Sequence, residues 1–127
     1  MTPFGAKMRA LRAERGVSLK EMADALGITP TYLSALEHGR RGKPNWAFIQ
    51  RVIHFFNVIW DDAEEIARLA DISHPRIVID TAGLDPAATA FANRLSRTID
   101  RLDGPALDRL RRTLEDALEE TRIDPPA

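Results

Sequence analysis

Apolar residues recur at helical spacing along most of this chain, and start and stop signals bound each run. Phe4, Met8 and Leu11 share one face of a segment from Pro3 to Arg15, with Lys7, Arg9 and Arg12 around them and Gly16 after it. Ser18, followed three residues later by Glu21, has the pattern of a capping box; Leu19, Met22, Ala23 and Leu26 then form a second face that Gly27 stops. Thr29 is the N-cap and Pro30 the first residue of a third helix. Leu33 and Leu36 point one way in it, Thr31, Ser34 and His38 lie on other faces, and Gly39 ends it. Asn45 caps a fourth helix with a thick stripe of Phe48, Ile49, Val52, Ile53 and Phe56, and Asn57 is its exit. A fifth helix is expected from about Trp60 to Asp71, with Ala63, Ile66, Ala67 and Ala70 inward and Asp61, Asp62, Glu64 and Glu65 at its positive end.

The pattern changes at Ser73-His74-Pro75. Arg76-Ile77-Val78-Ile79-Asp80 is a β-branched run between Pro75 and Gly83 and predicts a short strand. Two helix starts of the same design follow: Asp85 before Pro86, leading to Phe91, Leu95, Ile99 and Leu102, and Asp103-Gly104 before Pro105, leading to Leu107, Leu110, Leu114 and Leu118. The two form an amphipathic hairpin whose polar faces alternate Arg with Asp or Glu, and residues 124–127 are expected to fray. The fold class is therefore mainly all-α, divided into a helical domain at residues 1–72 and a strand with a helical hairpin at 73–127.

The second and third helices carry a geometric implication. Gly27 permits the left-handed conformation that turns the chain sharply, and Ala23, one turn earlier, lets the two helices approach. Burying Leu33 and Leu36 against Met22 and Leu26 leaves Pro30, Thr31, Ser34 and His38 outward. A short helix with a polar outer face fits the DNA major groove, about 12 Å wide, and its N-terminus is a natural neighbour of phosphate.

Charge sharpens this picture. The net charge of −1 divides into +5 for residues 1–60, from nine Lys/Arg and four Asp/Glu, and −6 for residues 61–127, from nine Arg and fifteen Asp/Glu. A basic first half beside an acidic second half fits a polyanion-binding module joined to a segment with another task. The chain has no cysteine, which removes disulfides and thiolate metal sites and makes a reducing cytoplasm the expected compartment. Nor does any run approach the roughly 18 apolar residues of a membrane span.

The stretches SLKEMA from Ser18, LGIT from Leu26 and YLSALEHG from Tyr32 resemble the helix-turn-helix of the XRE family, the Cro and phage-repressor type. The resemblance continues through Arg40-Arg41 and Pro44 into the fourth-helix stripe, covering roughly residues 4–58. It implies a five-helix DNA-binding domain that reads an operator in double-stranded DNA with the Thr29–His38 helix. Base contacts then fall to Pro30, Thr31, Tyr32 and Ser34, with a methyl group from Ala35 and with His38 as a further candidate at the helix end. Phosphate contacts fall to Thr29, Arg40, Arg41 and Lys43. The family often carries glutamine where this chain has Leu19, so the phosphate contact expected there passes to Lys20. The outer face also lacks the Arg, Asn or Gln of bidentate base pairing, which points to recognition by DNA shape and through water.

Each candidate has a plainer alternative. Tyr32 can pack on a neighbouring helix, His38 can be a solvated helix end, and Arg12 and Arg15 can merely solvate the first helix. Trp46 and Trp60 are expected at the core or a domain edge, and His54 to be part-buried. His38, His54 and His74 lack zinc-site spacing, so no metal or cofactor is expected. No phosphate-binding glycine loop or nucleophile motif appears, so an enzyme is not expected.

Such proteins generally dimerise on half-sites about 34–36 Å apart. Ile77, Val78 and Ile79 form a strand with no partner in the chain, and pairing across a two-fold axis would supply one. Phe91, Leu95, Ile99, Leu107, Leu110 and Leu114 offer two apolar stripes to the same interface, the plainer alternative being that these helices fold back on their own DNA-binding domain. The leading expectation is a homodimeric repressor on an inverted-repeat operator. The alternative is an antitoxin or mobile-element adaptor whose C-terminal region binds a partner protein.

Overall fold

Side-chain caps start the first four helices, three of them, Ser18, Thr29 and Asn45, at positions the sequence marks and the fourth, Thr2, at one it does not. The Thr2 hydroxyl accepts the Gly5 N–H at 3.1 Å and starts α1 (Pro3–Arg15). At α2 (Leu19–Leu26) the box is reciprocal: Ser18 Oγ accepts the Glu21 N–H at 3.0 Å, and Glu21 Oε1 accepts the Ser18 N–H at 3.2 Å. Thr29 Oγ1 accepts the Tyr32 N–H at 3.0 Å to start α3 (Pro30–Glu37), and Asn45 Oδ1 accepts the Phe48 N–H at 2.8 Å to start α4 (Trp46–Phe56). Each cap satisfies one of the N–H groups a helix start leaves unpaired. The fifth helix, α5 (Asp61–Asp71), has no side-chain cap and starts after Trp60, whose φ of 54° and ψ of −126° are unusual for a bulky residue.

The computed structural model describes residues 1–122, with Arg122 by its backbone alone. Its first compact unit, Met1–Val78, contains these five helices around one core. Phe4, Met8 and Leu11 enter from α1, Met22, Ala23 and Leu26 from α2, and Leu33 and Leu36 from α3. Phe48, Ile49, Val52 and Phe56 enter from α4, and Ile66 and Ala70 from α5. Phe4 and Phe48 meet edge to face with centroids 6.4 Å apart. The unit runs past the compositional change at Ser73. Ser73 is buried, accepting the Phe4 N–H at 2.9 Å and donating to the Leu69 carbonyl at 2.6 Å, so it ties the end of α5 to the start of α1.

Glu37, only 2% exposed, holds the end of α3 in place by two groups. Its carboxylate takes a bidentate pair from the buried Arg12 guanidinium, Nη1 to Oε2 and Nη2 to Oε1, the latter at 3.2 Å. Its backbone carbonyl accepts the Thr2 N–H at 3.0 Å and the Thr2 hydroxyl at 3.2 Å. The α1 backbone passes so close that a Cβ on Gly5 would lie 2.1 Å from that carbonyl oxygen, a position only glycine can occupy. Two further arginines satisfy helix C-termini: Arg15 donates to the Phe56 carbonyl and Arg51 to the Leu26 carbonyl.

The second compact unit begins at Ile79. Within it lie α6 (Pro86–Thr98), a single 3-10 turn at Ile99–Arg101, and α7 (Gly104–Arg122). Asp85 Oδ1 accepts the Ala87 N–H and Asp103 Oδ1 the Ala106 N–H, each at 2.8 Å, so both predicted starts form. No residue from Ile79 through Thr121 is buried. Phe91, Ile99, Leu107, Leu110, Leu114 and Leu118 are exposed, while Leu95 and Leu102 are half-buried.

Several expectations need correction. The described residues contain no strand. Ile77, Val78 and Ile79 are instead exposed, Val78 at 93%, on irregular chain where one compact unit gives way to the next. A β-branched run supplies side chains for a sheet but cannot complete a ladder without a second strand. Trp46 and Trp60, expected to pack, are exposed, Trp60 at 81%. Trp46 lies about a quarter turn from the centre of the α4 stripe, and Trp60 precedes the first turn of α5. His54 is exposed, not part-buried. Arg12, expected to be solvated, is the buried partner of Glu37. The expected fraying at 124–127 lies outside the described residues.

Candidate nucleic-acid interface

Gly27 takes φ 72° and ψ 30°, and its N–H turns back to the carbonyls of α2. That left-handed residue turns the chain between α2 and α3, and fully buried Ala23, one turn before it, lies where the two helices pack together. Leu33, Leu36 and Glu37 fix the inner side of α3. Its remaining positions form the outer side. Thr29, Thr31, Tyr32 and His38 are exposed, and Pro30, Ser34 and Ala35 are half-buried.

The polar groups on this face have distinct states. Thr29 Oγ1 accepts the Tyr32 N–H as the helix cap, which leaves its hydroxyl proton free to donate outward. His38 folds back on its own helix, with Nδ1 2.8 Å from the Ser34 carbonyl oxygen. The helix start combines aligned N–H groups with the positive end of the helix dipole. Here Pro30 brings no N–H and the Tyr32 N–H is taken by the Thr29 cap, so the Thr31 N–H and the helix dipole are what this end offers an anion, while the Thr31 and Ser34 hydroxyls can exchange hydrogen bonds with a neutral polar surface.

The loop after α3 brings its cations near this face. Arg40 is exposed and has no ion-pair partner among the described residues, as is also true of Lys20 on α2. Arg41 places its guanidinium carbon 5.2 Å from the centroid of the Tyr32 ring. Lys43 pairs with Asp71 at 2.9 Å, an exposed contact of the kind worth little in water. Tyr32, Arg41, Lys43, Asn45 and Arg51 line one side or another of an open recess of about 310 Å³ between the loop, α3 and α4. Arg12, Arg15 and Arg51 are committed to protein acceptors; of the cations on α2 and the loop after α3, Lys20, Arg40, Arg41 and, after exchanging its partner, Lys43 remain for an external anion.

The Arg12–Glu37 pair is what the sequence reading missed, and a signal for it exists. Arg12 follows Met8 by one helical turn and Glu37 follows Leu33 by one turn, so each charge lies on a buried apolar face and the two have opposite sign. Among the described residues no group of three or more His, Cys, Asp or Glu side chains could hold a metal ion. None of the described helices is long and apolar enough to cross a membrane.

Comparison with known proteins agrees with this geometry. The profile of a family described as "Helix-turn-helix domain" matches residues 3–69, more than half of the chain. The chain is 32% identical over 62 residues to an uncharacterized HTH-type transcriptional regulator RghRB of Bacillus subtilis, a match covering 49% of this chain and 45% of that relative. It is 31% identical over 61 residues to the HTH-type transcriptional repressor RghR of the same organism, covering 48% and 45%. A third relative, the HTH-type transcriptional regulator SinR of Bacillus subtilis, is 33% identical over 49 residues, covering 39% and 44%. The matches thus span less than half of each relative's length. No solved structure matches the chain at a significant level.

Proposed function

The chain belongs to the helix-turn-helix family of XRE-type regulators, and from that premise we propose that it is a sequence-specific DNA-binding transcriptional regulator, acting as a repressor. The observation that carries the reading is the two-sided state of α3. One side is locked by Leu33, Leu36 and the Arg12–Glu37 pair, and the other leaves Thr31 exposed and Ser34 half-buried, followed by a loop whose Arg40 has no ion pair among the described residues. In this reading α3 lies in the major groove with Thr31 and Ser34 at base edges, and Pro30 and His38 flank them. Thr29, Lys20, Arg40, Arg41 and Lys43 hold the phosphates and fix the register. A repressor named among the relatives supports the sign of regulation.

The reading extends to a homodimer on an inverted-repeat operator. The apolar stripes of α6 and α7 support it, because Phe91, Leu107, Leu110 and Leu114 stay exposed in the single chain. Burial of such stripes is worth about 25 cal/mol per Å², enough for two helices to seek a partner surface. A two-fold dimer would present two α3 helices to successive major grooves.

Selection from random duplex DNA, with sedimentation of the free protein, tests both parts. The expected result is an inverted repeat, a dimer in solution, and a changed base preference for Ser34→Ala with modest loss of affinity. An unchanged preference removes Ser34 from the reading surface. A monomer that acquires a stable complex only with a second, co-expressed protein would favour the adaptor or antitoxin reading.

A further inference from the structure

We propose that Tyr32 is a positioning residue that holds Arg41 for a DNA phosphate, and that it does not itself read a base; this rests on the DNA-binding reading above. Three observations place it there. The Arg41 guanidinium lies over the Tyr32 ring, 5.2 Å from its centroid, and makes no ion pair among the described residues. The ring is rooted in the first turn of α3, where the Tyr32 N–H is held by the Thr29 cap at 3.0 Å. Arg41 itself sits on a loop between Gly39 and Gly42, both at positive φ; the Lys43 ammonium is held by Asp71, while the Arg40 side chain makes no ion pair among the described residues.

The chemistry of the stack decides which role fits. A guanidinium over an aromatic face uses its π surface for the ring, and its N–H groups radiate from its edge. Those N–H groups remain able to fork onto a phosphate oxygen pair. The face of Tyr32 that Arg41 covers is occupied and cannot at the same time stack on a base. Holding a long side chain near its bound position lowers the ordering cost when DNA arrives. Without the ring, Arg41 would search its full set of rotamers from a glycine-flanked loop.

A double-mutant cycle on the full chain tests this, using a duplex obtained by selection with the wild-type protein. Tyr32→Phe keeps the ring and should bind within about twofold of wild type. Tyr32→Ala should weaken binding about two- to fivefold, the range of an exposed cation–π contact. Tyr32→Leu keeps bulk without a π face and should behave as Tyr32→Ala. Arg41→Ala should lower the slope of log K against log salt by about one unit. In the Arg41→Ala background, Tyr32→Ala should add nothing. The base preference of Tyr32→Ala should equal that of wild type. An equal loss for Tyr32→Phe, a shifted base preference, or additive losses would overturn the positioning role while leaving DNA binding intact. A wild-type protein that binds no duplex would overturn the functional reading and this inference together.

Discussion

Residues 1–78 and the residues from Ile79 onward are written in the same local grammar and reach opposite states of burial. Asp85 and Asp103 cap α6 and α7 just as Ser18, Thr29 and Asn45 cap α2, α3 and α4. Both regions place leucines at helical spacing. In the first, five faces converge, and Phe4, Met22, Leu33 and Val52 are fully enclosed. In the second, Leu107, Leu110, Leu114 and Leu118 run along α7 and remain exposed. Caps and periodicity thus suffice to form a helix, but burial depends on how many other faces the chain brings against it. The first region is a finished core, and the second leaves its apolar stripes exposed.

The largest effect should come from the buried charge pair in the first region. Glu37→Ala strands the Arg12 guanidinium without its carboxylate and should remove about 3–5 kcal/mol of stability, read from the urea midpoint. Because Glu37 also anchors the end of α3, the variant should lose DNA binding as α3 loosens. Next comes a matched pair of leucines. Leu33→Ala should cost about 2–5 kcal/mol, whereas Leu110→Ala should stay within about 0.5 kcal/mol when the chain is dilute and monomeric. Equal losses at low concentration would erase the contrast between the regions. A Leu110→Ala loss that grows with protein concentration would locate the missing partner surface in a second copy of the chain. The smallest effect concerns Trp60, exposed and held at φ 54°. Trp60→Gly should raise stability by about 1 kcal/mol, since relief of backbone strain exceeds the added chain entropy; a lower thermal midpoint would show the ring makes contacts that outweigh its strain.

How far the sequence could be read follows from the range of each interaction. The caps at Ser18, Thr29, Asn45, Asp85 and Asp103 act over two or three residues, and the text of the chain displays them. The inward faces of α2 and α3 follow from periodicity, and so does the outward placement of Thr31 and His38. The Arg12–Glu37 pair joins residues 25 apart, and a bare sequence shows two charges but not that the helices carry them to one point. The same holds for Lys43 with Asp71 and for Ser73 beneath Phe4. The run Ile77–Val78–Ile79 misled for a related reason: β-branching states a preference, and the hydrogen-bonding partner that turns preference into strand is absent from the described chain. Trp46 and Trp60 show the converse, since bulk and apolarity do not bury a residue that lies off the converging faces.

The salt dependence of duplex binding by the full chain, wild type against Arg40→Ala, bears most directly on the role assigned to α3 and its loop. Log K should fall linearly with log salt for the wild type, and Arg40→Ala should lower that slope by about one unit while keeping the same preferred sequence. A complex indifferent to salt, or a slope unchanged when Arg40 is removed, would contradict the placement of the phosphate backbone beside this loop.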